Sequence, residues 1–388
     1  MLMRCPRPRR EFWPIGAVVL SALLALAPSA SGQVVNSSPA TPDTEPPKAE
    51  PQVRVPPPGA PPQKPRPSAL GRWFDLQAAT VGARYRMVET NTAVISANQV
   101  QDNAQFKGRF KFDAKATWTL NAVYATGSNF SGGWNNTGLG TGDPFTHLYV
   151  KQLFVAWAPV SGVEASYGST GYFRGESTEI TTFDNDGYMS GERISVKRPR
   201  QFHLDEFGAA RGYVGDVSRP GVFDRWDRFT GGRNYFQIFA AKKFKKFFSV
   251  SGDYAHLDGA PMWHGAVTAK IPAARVVDTL RFEGYTRTGT TGGSGYSVYV
   301  EKTMRKRAAA GVGYATIDPL APTLNGDRFL RGQRYFVSGS YKLGFDFTAQ
   351  AFWGQAFHNA ITIANQKRLD AIISYNALAG FQRIGWFR

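Results

Sequence analysis

From Phe74 onward, apolar and polar side chains alternate with a period of two, in stretches of 10 to 14 residues rather than the five or six of an average soluble strand. Ala104 to Ala114 shows the rhythm most cleanly: Phe106, Gly108, Phe110 and Phe112 interleave with Gln105, Lys107, Arg109, Lys111 and Asp113. It returns through Trp118 to Tyr124, Phe248 to Tyr254, Trp263 to Ile271, Ala310 to Tyr314, Tyr335 to Tyr341, Phe345 to Trp353 and Leu369 to Tyr375. A strand with one apolar and one charged face belongs between an apolar medium and water. A tilted strand needs about 9 to 11 residues to cross a bilayer, which these stretches supply. A β-sandwich and a β-helix are the soluble alternatives, and connector length chooses among the three. Short connections at 113–115, 159–161, 242–246, 272–276, 303–306 and 342–344 alternate with longer polar ones at 89–101, 128–144, 172–188, 217–231, 257–261, 288–293, 317–331 and 357–366. Short turns at one end and long loops at the other characterise an up-and-down barrel of the outer-membrane type, and a closed barrel is the only β structure that leaves no free edge in lipid. The expected fold is all-β: an antiparallel up-and-down transmembrane β-barrel of about sixteen strands over residues 71–388. Weak alternation near 189–198 and 205–217 keeps fourteen strands open.

Composition narrows the classes further. Mean hydropathy is −0.31, and outside the N-terminus no apolar run approaches the roughly 18 residues of a membrane-spanning helix, which excludes a helical transporter. The only cysteine is Cys5, so the body has no disulfide framework or thiolate metal site, and no cofactor is expected. Arg4, Arg7, Arg9 and Arg10 precede the apolar stretch Ile15 to Ala27 and the small residues Ala30-Ser31-Gly32. That order reads as a secretory signal over residues 1–32; Arg9-Arg10-Glu11-Phe12 also brushes a twin-arginine pattern, with the same consequence of export. Cleavage there would leave 42 basic against 28 acidic side chains, a formal +14. Residues 33–70 hold half of the chain's 24 prolines and almost no apolar side chains. Such a segment has no core to offset its ordering entropy and is expected to be a disordered, semi-rigid periplasmic arm. At about 3.1 Å per residue it would reach on the order of 100 Å. It is either a plain tether or a contact with the cell wall or a periplasmic protein.

Aromatic residues (Trp73, Phe74, Trp118, Tyr124, Trp157, Tyr167, Tyr254, Trp263, Tyr314, Tyr335 and Trp353) tend toward strand ends, where amphipathic rings favour the water–lipid boundary. Gly108-Arg109-Phe110-Lys111-Phe112-Asp113, the run Leu148 to Pro159, Gly168 to Glu179 and Gly191-Glu192-Arg193 resemble a Gram-negative porin-like group that includes phosphate-selective and alginate-export barrels. The resemblance is one of pattern spread over most of 72–388. It implies an outer-membrane location, lipid as the surrounding partner, and a loop after the fifth strand folded inward. Such barrels usually end on an aromatic residue that the assembly machinery reads; this chain ends Gly385-Trp386-Phe387-Arg388, a departure that leaves the closing strand open.

If the apolar face meets lipid, the alternate residues line a pore wide enough at this strand number for water. The basic set is Arg84, Arg86, Lys107, Arg109, Lys111, Arg193, Lys197, Arg281, Arg287, Arg307, Arg334 and Lys342. Opposing it are Asp113, Glu164, Asp253, Glu283, Glu301, Asp346 and Asp370. Twelve positive against seven negative predicts a lumen that concentrates small anionic solutes, unless neighbouring pairs such as Arg281 and Glu283 only neutralise each other. The connection from Tyr172 to Ser190 is the candidate inward loop, bringing Glu176, Glu179, Asp184 and Asp186 to face the basic wall. Asp184-Asn185-Asp186-Gly187 is half of a calcium loop without the glutamate at its twelfth position, so it reads as a solvated turn and no metal is expected.

Basic residues at the short turns, including Lys242, Lys243, Lys245 and Lys246, suit anionic headgroups and account for part of the charge. Export and membrane-spanning alternation argue against nucleic acid despite a pI of 9.9. The expected function is a passive, anion-preferring channel. The alternatives are an exporter of an anionic polysaccharide or a non-conducting barrel that anchors the arm. An outer-membrane hydrolase ranks last: His256 and His264 flank one short loop with Asp253 and Asp258, but no nucleophile motif accompanies them. The oligomeric state is left open.

Overall fold

The computed structural model describes residues 69–89, 95–128, 132–176, 188–198, 203–214, 218–226, 233–244, 247–257, 260–271, 275–289, 292–304, 307–318, 332–357 and 366–384. The signal expected over 1–32, nearly all of the arm, and the acidic stretch with Glu179, Asp184 and Asp186 lie outside them. After a short helix α1 (Ala69–Trp73) come β1 (Phe74–Glu89), β2 (Ile95–Lys111), β3 (Trp118–Thr126), β4 (Asn135–Gly140), β5 (Leu148–Trp157), β6 (Val163–Thr170), β7 (Met189–Lys197) and β8 (Glu206–Tyr213). Helix α2 (Val222–Trp226) precedes β9 (Tyr235–Phe244), β10 (Phe248–Leu257), β11 (Ala260–Lys270), β12 (Thr279–Arg287), β13 (Gly293–Met304), β14 (Ala308–Ile317), β15 (Gly332–Gly344), β16 (Phe347–Phe357) and β17 (Lys367–Asn376). Helix α3 (Ala377–Arg383) follows.

Sixteen of these strands close a ring. Neighbours pair antiparallel in chain order, and β17 returns to β1 through registers such as Val81↔Tyr375 and Arg86↔Asp370. The seventeenth, β4, belongs to the long β3–β5 connection. It pairs with the outer part of β2 (Gln101↔Asn136) above the point where β3 stops, while β3 itself pairs with β5. The weak stretches near 189–198 and 205–217 are β7 and β8, fully paired over Ser190↔Tyr213 to Lys197↔Glu206, so fourteen strands is excluded.

One expectation is corrected at the first loop. Residues 89–101 read as a long connection, but β1 and β2 stay paired out to Glu89↔Ile95. Beyond the apolar belt both faces of a hairpin meet water, so polar alternation there carries no strand signal. The β10–β11 connection is likewise tight, with pairing as far as Leu257↔Ala260.

The two faces of the ring differ in exposure for a geometric reason. Side chains on the concave face converge and bury one another, whereas those on the convex face splay apart. The exposed face carries Val81, Tyr85, Phe110, Phe282, Val337 and Ile373, matching the apolar half of the sequence alternation. The opposite face carries buried Arg84, Gln237, Asp253, Glu283, Arg334 and Asp370. The outer aromatics form two girdles. Trp118–Trp157, Phe244–Phe248 and Phe347–Tyr375 pair at the short-turn end, with ring centroids 5.8, 5.7 and 4.8 Å apart. Tyr254–Trp263, Tyr296–Tyr314 and Tyr335–Trp353 pair at the loop end, at 4.7, 6.0 and 5.5 Å.

Candidate functional site: the inner wall

The basic side chains concentrate on three adjacent strands, β17, β1 and β2. Arg86 Nε lies 2.9 Å from Asp370, and Arg368 Nη2 lies 2.5 Å from the same carboxylate. Arg84, in register one step along, donates from Nε and Nη2 to Gln101 Oε1 at 2.9 and 2.5 Å. Its guanidinium sits 4.3 Å from the ring centre of Trp134, which the β3–β5 connection brings inside the ring. That connection is held by buried Lys151, whose Nζ donates to Gly132 O at 2.6 Å. Toward the short turns, Asp75 takes Arg109 Nη2 at 2.6 Å and Lys111 Nζ at 2.8 Å, while Lys107 shares the same face. Among the described inward residues of these strands, six cations thus meet two carboxylates, Asp75 and Asp370, and the stripe keeps positive charge.

Half a turn around the ring, β10 to β13 carry the carboxylates Asp253, Glu283 and Glu301 with His264, Arg281 and Arg287. Both ring nitrogens of His264 are occupied: Nδ1 lies 2.6 Å from Asp253 and Nε2 2.9 Å from Glu283, all three side chains being fully enclosed. Tyr299 Oη donates to Glu301 at 3.0 Å. His256 pairs with Phe236 on the outward face, so the two histidines that flank this short connection diverge; Asp258 lies outside the described residues.

The first part of the β6–β7 connection lies on this wall, as the resemblance implied. Phe173 stacks on Phe239 with centroids 5.2 Å apart and planes within 6°, and the Arg193 guanidinium covers Phe173 at 4.0 Å. The Phe173 N–H donates to Gln237 Oε1 on β9 at 3.1 Å, and Gln237 Nε2 donates to Phe173 O at 3.0 Å. The Glu176 N–H donates to Ser251 Oγ on β10 at 2.8 Å, which puts Glu176 across from the basic stripe. Tyr172 donates to Tyr188 O and Tyr188 to Pro220 O, at 2.7 and 3.1 Å, tying both ends of the connection to the α2 segment. Burial pushes both phenols well above their ordinary range, with the nearby Arg225 charge working against it, so both stay neutral hydrogen-bond donors.

The other expected residues fall as follows. Arg193 and Glu164 face inward on β7 and β6. Lys197 and Lys342 hold the same parity at the short-turn ends of β7 and β15. Arg281 and Arg287 lie on β12, and buried Arg334, on β15, donates to Gln366 at 3.3 Å. Arg307 sits in the turn before β14, its N–H donating to Met304 O. Two acidic residues read as opposing the basic set do not. Asp113 closes the β2–β3 turn by accepting backbone N–H groups of Lys115, Thr117 and Trp118, at 2.8, 3.1 and 2.9 Å. Asp346 occupies the β15–β16 turn with φ 65° and pairs with Arg383 of α3. Both sit where a turn needs an acceptor or a left-handed residue, a demand that outweighs strand parity.

Sequence alternation alone missed the inner aromatics. Tyr285, Tyr299, Phe336 and Phe352 point inward and cluster with Met262 and Ile317. They bed against glycines: a Cβ on Gly313 would stand 2.2 Å from Phe336 Cζ, and one on Gly311 2.2 Å from Tyr299 Oη. Finding them required strand register, which alternation does not encode.

No protein-family model and no curated protein matches the chain. Among solved structures it is similar to Salmonella typhi OmpF in complex with daunomycin, with a TM-score of 0.51 and 14% identity over 79% of this chain and 98% of that one. A multiple mutant of the Rh. blastica porin aligns with a TM-score of 0.49 and 12% identity over 78% of this chain and 99% of the other. With sixteen strands closed β17 to β1, an apolar outer face between two aromatic girdles and the first part of the connection after the fifth barrel strand laid inside, the chain has the fold of an outer-membrane porin.

Proposed function

We propose that this protein is an outer-membrane channel for passive passage of small anionic solutes. The observation that carries the reading is the surplus of inward positive charge on β17, β1 and β2, where six cations meet two carboxylates, whereas across the ring on β10 to β13 three carboxylates are matched by Arg281, Arg287 and His264. A water-filled constriction between low-dielectric walls focuses such a field, and Arg and Lys lining favours anion entry. The pore-lining roles of Lys107, Arg109 and the other basic residues, and the constricting role of Glu176, belong to this proposal, as do export by a signal over 1–32 and an arm over 33–70. Anionic polysaccharide export would use the same basic stripe with a wider constriction.

Purified protein in a planar bilayer tests the reading: stepwise conductance with a reversal potential on the anion side is the expected result. Absence of steps from correctly folded protein would overturn it in favour of a non-conducting anchor. Steps with cation preference would overturn the anion assignment alone.

A further inference from the structure

The first part of the inward loop bonds to the wall through a buried amide, and that amide has its own polar foundation. Gln237, on β9, has no solvent exposure. Its Oε1 accepts the Phe173 N–H, and its Nε2 donates both to Phe173 O and to Asp253 Oδ2, at 3.0 and 3.1 Å. An amide side chain can present its oxygen and nitrogen either way round. A carboxylate has only acceptors to offer here, so Asp253 admits the nitrogen and the oxygen is left for the loop N–H. Asp253 is in turn fixed through Oδ1 by His264 Nδ1, and His264 by Glu283 through Nε2. Four side chains on four consecutive strands, β9 to β12, therefore end on the backbone of the connection laid on the inner wall.

We propose that Gln237 is the positioning residue for the inward loop, and that Asp253, His264 and Glu283 act through it by fixing the direction of its amide. The proposal rests on the channel reading only for its effect on conduction; the position of the loop is a property of the folded barrel. Phe173 stacking on Phe239 adds attraction but no direction, because a ring can slide on a ring. The paired hydrogen bonds to Gln237 set where along the wall the loop sits.

Ser251 reports on the contact. It is buried beneath the loop, its Oγ accepts the Glu176 N–H, and a Cβ on Gly175 would come within 2.2 Å of it. In a Cys5→Ser, Ser251→Cys background, the rate of labelling by a water-soluble maleimide measures how often the loop lifts. Gln237→Leu removes both loop bonds and is expected to raise that rate roughly tenfold or more, while heat-shifted electrophoretic mobility and circular dichroism stay those of the folded barrel. Asp253→Asn, which lets the amide turn over, is expected to accelerate labelling as well. Combining Gln237→Leu with His264→Phe is expected to add little beyond Gln237→Leu alone, because both act through one link.

An unchanged rate in folded Gln237→Leu protein overturns the clamp. If that variant does not fold, an unchanged rate in Asp253→Asn overturns it equally, and fully additive effects in the double variant refute the relay. A parent that fails to conduct removes the channel reading but leaves these labelling rates interpretable.

Discussion

Gly313 lies where Phe336 leaves no room for a side chain, and the exchange works in both directions: the ring lies down because the glycine is there. Gly313→Val is expected to lift the ring off the wall, at a cost of about 1–3 kcal/mol for overpacking, read as a lower urea midpoint for the folded band on a gel. The same rotation would lower single-channel conductance. Asp113 gives a pH test. The backbone N–H groups of Trp118 and Thr117 foremost hold its carboxyl below the usual range against a small opposing effect of burial. A depressed folded value means the contribution is present above the unfolded pKa and is lost as pH falls through the folded one. Wild type is therefore expected to exceed Asp113→Asn in urea midpoint at neutral pH, with the gap closing below the ordinary aspartate range. At the β15–β16 turn, Phe345 and Asp346 both adopt positive φ, 49° and 65°, the conformation of a type I′ turn without its usual Asn-Gly. Phe345→Asn is expected to raise the midpoint by relieving that conformation.

Strands were the most legible level. The apolar runs singled out by alternation, from Phe106 to Phe112 through Leu369 to Tyr375, lie on the outward face, apart from Phe345 in the β15–β16 turn, because period two and burial on one side are the same fact in a barrel wall. Legibility failed where that equivalence fails. The β1–β2 hairpin rises into water beyond the belt, and β4 pairs with the top of β2, so neither needs an apolar face. The inward loop could be placed by the resemblance, and His264 stood out beside Asp253 only as a hydrolase constellation; Gln237 carried no signal until register set it beside Asp253. A substitution pair tests facing directly. Val298→Arg, outward near the middle of β13, is expected to cost about 2–4 kcal/mol in a bilayer and to reduce refolding into vesicles. Gln350→Arg, inward on β16, is expected to refold normally. Equal refolding of the two variants would contradict the facing.

At the level of the whole molecule, charge and closure come together at one seam. The basic stripe spans the strands that meet last in the chain's own order, with β17 supplying Arg368 and Asp370 to the arginines of β1. Under the proposed anion preference, Lys107→Glu combined with Arg109→Glu is expected to move the reversal potential to or past zero; an unchanged reversal potential would place the filter elsewhere. The seam also governs how the molecule comes to exist. Arg86 and Asp370 are 284 residues apart, and β1 pairs with β17 over ten residue pairs, from Thr80↔Asn376 to Glu89↔Lys367. Until β17 is available, β1 and β16 each offer an open strand edge that other chains can pair with, and contacts of such high sequence separation form slowly. Folding from urea should therefore be slow and strongly concentration-sensitive, and deletion of β17 should leave an aggregate rather than a smaller barrel.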